Sequence, residues 1–300
     1  MSYDVLIPYH EKDGSILPFC VQSIKEYAKD AATIYVVSAS DPEIEDVTWF
    51  PESRLPFTKD DVARYITCPS RIGWYYQQLI KLCLYDYLPT AAANVLLLDS
   101  DVILRKPITF FTDDGRICLA PNDEYHLPYF AHMSRLIPGL VKITPYSGVS
   151  HHMMTSREHL HKLLSYIERI HGRPAWIALL ELVDPAYYDG SGMSEYEILF
   201  NYCLTNFPEK YILRPLIIDN LSALSEINAS TADMVAIHSW RGEYMTAEQI
   251  SRSQINDASN QDIDTPLAYH PSPKAAGPQQ PQTHLEPRVS AKDTSPEDAR

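Results

Sequence analysis

Along the first hundred residues, short apolar runs alternate with stretches whose apolar positions recur at helical spacing, the pattern of a β-α-β chain. Asp4-Val5-Leu6-Ile7-Pro8 reads as a strand closed by Pro8, which has no N–H for a further ladder bond. Behind Ser15, a candidate N-cap, Leu17, Cys20, Ile24 and Tyr27 repeat at helical spacing, and Thr33-Ile34-Tyr35-Val36-Val37 forms a second strand. This order predicts a parallel sheet with a right-handed crossover. The acidic stretch from Asp41 to Asp61 carries no readable period.

From Arg71 to Asp86 the period is helical again, and Pro89 closes the segment. At about 100° per residue, Ile72, Tyr76, Leu79, Ile80 and Cys83 share one side, while Trp74, Gln77, Gln78 and Lys81 share the other. A Trp with two amides and a Lys either lines a cleft, with Lys meeting phosphate and the amides meeting hydroxyls or a base, or is a solvated face with a surface Trp. The pattern leaves both open. Next comes Val95-Leu96-Leu97-Leu98-Asp99-Ser100-Asp101, an apolar run suited to a buried strand that ends in two acids one residue apart. In an open α/β sheet ligands bind beyond the carboxyl ends of the strands, so Asp99 and Asp101 are expected at the mouth of the crevice. The tripeptide alone fits a turn equally well. As a pair of hard oxygen donors it suits Mg²⁺ or Mn²⁺.

Val102-Ile103-Leu104 stays apolar before Arg105-Lys106-Pro107 turns the chain, and Ile117 to Ala120 predicts a short strand. Pro121 to Gly148 is rich in Pro, His and Tyr without periodicity, which predicts an acceptor loop or lid. Thr144 to Met154 reads as a strand with a polar tip. Its adjacent His151 and His152 must face opposite sides, with His152 expected in the cleft and a core histidine as the alternative. Thr155 with Glu158 forms a capping box before the stripe Leu160, Leu163, Leu164, Ile167 and Ile170. After the aromatic, Gly-rich loop Tyr187 to Met193, Ser194 and Glu197 form a second capping box that starts a helix through Tyr202. Tyr211 to Asp219 and Asp233 to Trp240 read as the last strands. Beyond about Gln254 the aliphatic pattern is lost, and the last 35 residues hold seven of the 23 prolines. Residues 1–250 are therefore predicted to form one α/β domain and 251–300 a disordered tail.

Composition acts mainly by exclusion. At 300 residues and 45% hydrophobic content the chain can bury a sizeable core. A formal net charge of −14 argues against nucleic acid or an anionic membrane as partner, so a bound phosphate would need local donors and a metal. The five cysteines, Cys20, Cys68, Cys83, Cys118 and Cys203, show neither zinc spacing nor a disulfide framework, which points to buried thiols in a reducing compartment. Without a secretory leader or an apolar run near the ~20 residues of a membrane span, the expectation is a soluble cytoplasmic protein with no transmembrane segment.

The blocks occur in a telling order: Gly73-Trp74-Tyr75-Tyr76-Gln77-Gln78, Leu96 to Asp101, Ser147-Gly148, His151-His152-Met153-Met154 and Ser194-Glu195-Tyr196-Glu197. Together, over residues 2–244, they resemble glycosyltransferases of the GT-A fold, especially poorly characterised bacterial and viral sugar transferases carrying an Asp-x-Asp element. The resemblance implies a Rossmann-like, mainly parallel sheet flanked by helices and transfer of a sugar from a nucleotide-diphosphate donor to a glycan or other hydroxyl acceptor. It implies Mn²⁺ or Mg²⁺ on Asp99 and Asp101, with His238, in Val235-Ala236-Ile237-His238, as a further ligand, and a nucleotide base beside Pro8, Tyr9 and His10. Donor contacts are expected at Arg71, Gln77, Gln78, Lys81, Asp99, Ser100 and His152. An inverting reaction needs a carboxylate to take the acceptor's proton. Glu195 is the first candidate, at a helix start beside a glycine loop, and Asp189 the second; the alternative role for Glu195 is only to complement the helix dipole.

Three other readings compete. A haloacid-type phosphatase would carry Asp-x-Asp near its first strand, not after roughly a hundred residues. A nucleotidyltransferase would show a Gly-rich basic loop where His10-Glu11-Lys12-Asp13-Gly14 stands. A catalytically inactive sugar-nucleotide binding protein would keep the same fold.

Overall fold

The structure is a computed structural model and describes residues 1–238. In chain order the elements are β1 (Tyr3–Pro8), α1 (Leu17–Tyr27), β2 (Ala31–Ser38), β3 (Thr48–Pro51), α2 (Lys59–Ala63), α3 (Ile72–Leu82), α4 (Leu84–Tyr87), β4 (Asn94–Leu98), β5 (Val102–Leu104), β6 (Ile117–Leu119), α5 (Leu127–Leu136), β7 (His152–Ser156), α6 (Arg157–His171), α7 (Ala175–Glu181), α8 (Glu195–Asn206), β8 (Tyr211–Leu213), β9 (Ile218–Leu221) and β10 (Met234–Ile237). The expected tail, 251–300, and the end of the last expected strand, Ser239 and Trp240, lie outside the described residues.

The expected mixed α/β architecture forms: a central, mainly parallel sheet in the order β3-β2-β1-β4-β7, with only β7 antiparallel to its neighbour. Burial explains the choice. Val5, Leu6 and Ile7 of β1 and Val95 to Leu98 of β4 are all fully enclosed, as strands covered by helices on both faces must be. Helix α3 packs against β1, and α6 and α8 pack against β7. A smaller sheet, β5-β10-β9, continues the chain directly beyond the end of β4. Asp4 ties the first strand to its surroundings, its buried carboxylate accepting hydrogen bonds from the backbone N–H groups of Thr33 (3.1 Å) and Ala92 (2.6 Å).

Several local expectations give way. The segment Pro121 to Gly148, expected to be an irregular loop, contains α5; Tyr129, Phe130, Met133 and Leu136 are buried at helical spacing, a stripe hidden among Pro and His residues. The helix expected through Asp86 breaks at Cys83 into α3 and α4. Ser15 does not cap α1, which starts after Ile16 with no side-chain cap. At α6 the cap is Ser156, accepting from the His159 N–H at 3.2 Å, because Thr155 is drawn into β7. Ser194 does cap α8, but Glu197 does not close the box; its carboxylate turns to Ser147 (2.5 Å) and Asn201 (3.0 Å). Helix α7 lies in a stretch with no predicted element. Four cysteines are buried, Cys68 is half-buried, and all are free thiols. Among the described residues no helix is long and apolar enough to cross a membrane.

Two stability measurements follow. At Gly148 a Cβ would lie 2.4 Å from Phe200 Cβ and 2.8 Å from the Tyr196 carbonyl oxygen. Gly148→Ala is expected to destabilise by about 1–3 kcal/mol in urea unfolding, the usual range for overpacking. Burial holds the imidazoles of His132 and His152 down to about 4, against the hydrogen bonds each makes with a backbone carbonyl. Their unfolded pKa is about 6.5, so the unfolded chain gains protons first as pH falls. Stability is expected to be complete above about pH 6.5 and to fall progressively towards pH 4, and His132→Gln should flatten that profile.

Candidate functional site

Strand register builds the site. In the antiparallel pair β4/β7, Leu98 stands opposite His152, so the next residue out, Asp99, meets His151, whose carbonyl accepts the Asp99 N–H at 3.1 Å. In the pair β10/β5, Ala236 stands opposite Val102, and the Ile237 N–H reaches the Asp101 carbonyl at 2.8 Å. His238 follows and faces Asp101. Two carboxylates and two imidazoles, from three separate stretches, thus converge at the carboxyl end of β4.

The distances are short. His151 Nδ1 lies 3.4 Å from Asp99 Oδ2 and His238 Nδ1 lies 3.8 Å from Asp101 Oδ2. The two rings stand 5.2 Å apart, and both Nε2 atoms share the side-chain oxygen of Asn220 at 3.1 and 2.9 Å. His151 holds φ +60°, a left-handed conformation that costs a non-glycine residue roughly 1–2 kcal/mol. That kink stands immediately before β7 begins and turns the His151 ring towards the acids.

Beneath them lies a buried charge. Lys81, 1% exposed, donates to Asp99 Oδ1 and to Glu195 Oε1 (2.6 Å), while the Tyr196 hydroxyl touches both Lys81 and Asp99 at 3.1 Å. Burial disfavours the ammonium, but the two carboxylates outweigh it and hold Lys81 well above the ordinary lysine range. Burial likewise opposes ionisation of Asp99, and Lys81 with His151 overcomes it, keeping the carboxyl below the ordinary aspartate range. Glu195 goes the other way: burial and the Asp99 charge raise its pKa against the pull of Lys81.

A cleft of about 640 Å³ opens over this cluster. Of the residues expected to meet a donor or a metal, Pro8, Tyr9, His10, Arg71, Gln77, Asp99, Ser100, Asp101 and His238 line it. The others are placed elsewhere. Gln78 is buried and accepts the Glu195 N–H at 2.9 Å. Lys81 lies below the cleft floor in its ion pairs. His152 is a core residue, its ring against Phe110 and its Nδ1 2.7 Å from the Ser150 carbonyl, because strand alternation sends it to the face opposite His151. Glu195 does not reach the cleft, since α8 packs on α3 and the carboxylate is spent on Lys81; Asp189 sits exposed on the loop before α8. Conversely, His151, Trp74, Tyr76, Lys59 and Ser191 line the cleft. For His151 the signal was present in the adjacent pair of histidines, but not which of them faces out.

The donor chemistry suits a hard or borderline divalent cation: two carboxylates and two imidazoles at one mouth. Among the described residues no three of these groups are already arranged around a single point. The imidazole Nδ1 atoms instead face the carboxylates directly, so an incoming ion would have to part those pairs.

Comparison with known proteins adds a family. The model of a family of unknown function, DUF6492, matches residues 16–253. No curated protein matches the chain. Among solved structures, mouse xyloside xylosyltransferase 1 in its apo form is similar at TM-score 0.45 and 13% identity, covering 80% of this chain and 99% of that one. The galactosyltransferase LgtC with donor and acceptor sugar analogues is similar at TM-score 0.44 and 13% identity, covering 87% and 97%. A glycosyltransferase involved in glycosylation of the major capsid of PBCV-1 is similar at TM-score 0.40 and 15% identity, covering 85% and 100%. At these scores the likenesses assign no residue of this chain a role.

Removing Lys81 should leave Asp99 and Glu195 facing each other without their shared cation. Lys81→Met is expected to destabilise by about 3–5 kcal/mol, the range for breaking one side of a buried ion pair. Urea unfolding measures it, and a change below about 1 kcal/mol would mean that water reaches the cluster.

Proposed function

Since this chain belongs to the DUF6492 family, which carries no assigned function, we propose from the site itself that it is a glycosyltransferase of the GT-A type. It transfers a sugar from a nucleoside-diphosphate sugar to a glycan or other hydroxyl acceptor with the help of Mn²⁺ or Mg²⁺. The observation that carries this reading is the meeting of Asp99, Asp101, His151 and His238 at the carboxyl end of a central strand, inside a cleft of about 640 Å³.

Asp99, Asp101 and His238 would hold the cation, with His151 close enough to join them. A divalent ion bound there supplies a Lewis acid that neutralises charge on a departing diphosphate. The chain's own residues prepare the rest. Lys81 keeps Asp99 ionised and fixes its Oδ1, leaving Oδ2 and Asp101 towards the cleft. Ser100 donates to Asp13 at 2.9 Å, which clamps the turn between the two acids to the loop after β1. Pro8, Tyr9 and His10, at the carboxyl end of β1, are positioned to flank a nucleotide beside that turn. Glu195 acts through Lys81, as a positioning residue; neither it nor exposed Asp189 has the placement of an acceptor base. The free thiols of the five cysteines fit a reducing, cytoplasmic setting.

An inactive sugar-nucleotide binding protein would share the cleft and bind without turnover, so binding and hydrolysis are measured together. Wild-type protein is expected to bind UDP at least tenfold tighter in Mn²⁺ than in EDTA and to hydrolyse a UDP-sugar slowly in Mn²⁺ alone. Asp101→Ala should abolish the metal-dependent gain. Unchanged UDP affinity in that variant would remove the metal role given to these acids, and metal-dependent binding with no hydrolysis would favour the inactive binder.

A further inference from the structure

Of the cations in and beneath the cleft, Lys59 and Lys81 are paired with carboxylates, whereas Arg71 and Lys12 show no such pair among the described residues. Lys59 pairs with Glu52 at 2.9 Å, and Lys81, beneath the floor, holds Asp99 and Glu195. Arg71 has no carboxylate partner among the described residues. Its guanidinium lies 4.5 Å over the Trp74 ring, and its Nη2 donates to the Ser191 hydroxyl. Its Nε–H is buried and meets no acceptor. Nε and Nη2 share one edge of the guanidinium, the edge arginine offers side-on to a carboxylate. Ser191 fills one of these two positions, and the other is vacant in a group whose N–H donors need partners once shielded from water.

Ser191 is held there by construction. It adopts φ +65°, and the flanking loop is pinned by His126, whose Nε2 lies 2.8 and 3.0 Å from the Gly190 and Ser191 carbonyls, and by the Tyr75 hydroxyl, which accepts the Gly192 N–H at 3.0 Å. The contacts between this segment and α3 run in order: Ser191 with Arg71, Gly192 with Tyr75, Glu195 with Gln78 and Lys81. Arg71 is thereby fixed over the first turn of α3, while Lys81, which touches Asp99, lies in the last. At 1.5 Å per residue the two ends are on the order of 10–15 Å apart. A group that meets Arg71 therefore lies further along the cleft than one held at Asp99 and Asp101.

We propose that Arg71, seated on Trp74, is a specificity-determining residue that binds a carboxylate carried on a sugar ring. This deepens the transferase reading and rests on it for the words donor and acceptor. The acidic sugar is either the one transferred or the acceptor, and in both cases the enzyme selects a uronate-like ring over its neutral counterpart. The guanidinium contributes a charge-assisted contact, and a side-on carboxylate that takes the place of the Ser191 hydroxyl on Nη2 also brings an acceptor to the buried Nε–H. Gln77, nearly two turns on from Arg71 and lining the same cleft, offers an amide to the hydroxyls of that ring.

The test is calorimetric titration of the full chain, of Arg71→Gln and of Arg71→Lys, all in Mn²⁺, with two matched pairs. One pair is methyl β-D-glucuronide against methyl β-D-glucoside in the presence of UDP; the other is UDP-glucuronate against UDP-glucose. In one pair the acid is expected to bind about tenfold tighter, the scale of a charge-assisted hydrogen bond; the glycoside pair assigns the carboxylate to the acceptor and the nucleotide pair to the transferred sugar. Arg71→Gln should erase that preference and leave UDP affinity unchanged, and Arg71→Lys, which keeps the charge without the fork, should restore only part of it. Equal affinities within both pairs, or no measurable binding of either glycoside together with equal nucleotide sugars, overturn the inference. So does a parallel loss of UDP affinity in Arg71→Gln, which would make Arg71 a diphosphate contact. Failure of the transferase reading shows separately, as UDP binding that ignores Mn²⁺ in the wild-type chain.

Discussion

A lysine ammonium enclosed in the protein interior is costly unless its charge is answered, and in this chain two carboxylates answer it. Lys81 of α3, Asp99 at the end of β4 and Glu195 at the start of α8 form a cluster in which each element is held by the other two. Buried ion pairs contribute little net stability compared with apolar packing, but they punish any displacement, because a shift of one member strands a charge in low dielectric. The cluster therefore fixes position. It sets where the acidic end of β4 lies, keeps Asp99 ionised despite burial, and docks α8 with the loop before it along the whole length of α3.

Above that anchor the site is a matter of strand register. Parallel neighbours β1 and β4 present their carboxyl ends on the same side, where an α/β sheet leaves its crevice. Two antiparallel strands, β7 beside β4 and β10 beside β5, then bring a histidine each to the same edge, one beside Asp99 and one beside Asp101. The left-handed turn at His151 is a local strain that the surrounding ladder overrides, and such strain gathers where a side chain must be aimed and not merely packed. Asn220 shares its side-chain oxygen between the two rings, so β9 also takes part in holding them.

The far end of α3 has a different character. There a guanidinium stacks on an indole and is tied to one hydroxyl, with the loop that carries that hydroxyl fastened by Tyr75 and His126. One helix thus connects two electrostatic tasks. Its C-terminal lysine organises the acidic centre from below, and the arginine at its N-terminal boundary lines the cleft with a buried Nε–H that meets no acceptor.

How much of this could be read in the chain divides along a physical line. Periodicity revealed β1, β2, β4 and the helices α1, α3, α6 and α8, since burial of apolar faces leaves a repeat in sequence. It missed α7 within its stretch and hid α5, whose buried stripe is interrupted by Pro and His. Asp99, Asp101 and His238 were legible because acids at the end of an apolar run and a histidine at the end of another are local features. Arg71 and Gln77 were visible as polar residues on an otherwise apolar helix. The choice of His151 over His152, the withdrawal of Lys81, Gln78 and Glu195 beneath the floor, and the pairing of Arg71 with Ser191 all depend on partners 18 to 120 residues away. The sequence by itself determined which faces are apolar and which residue types stand at the strand ends. Only tertiary structure decided which of those polar groups face each other and which face the cleft, because register, helix docking and charge pairing are set between segments that carry no mark of one another.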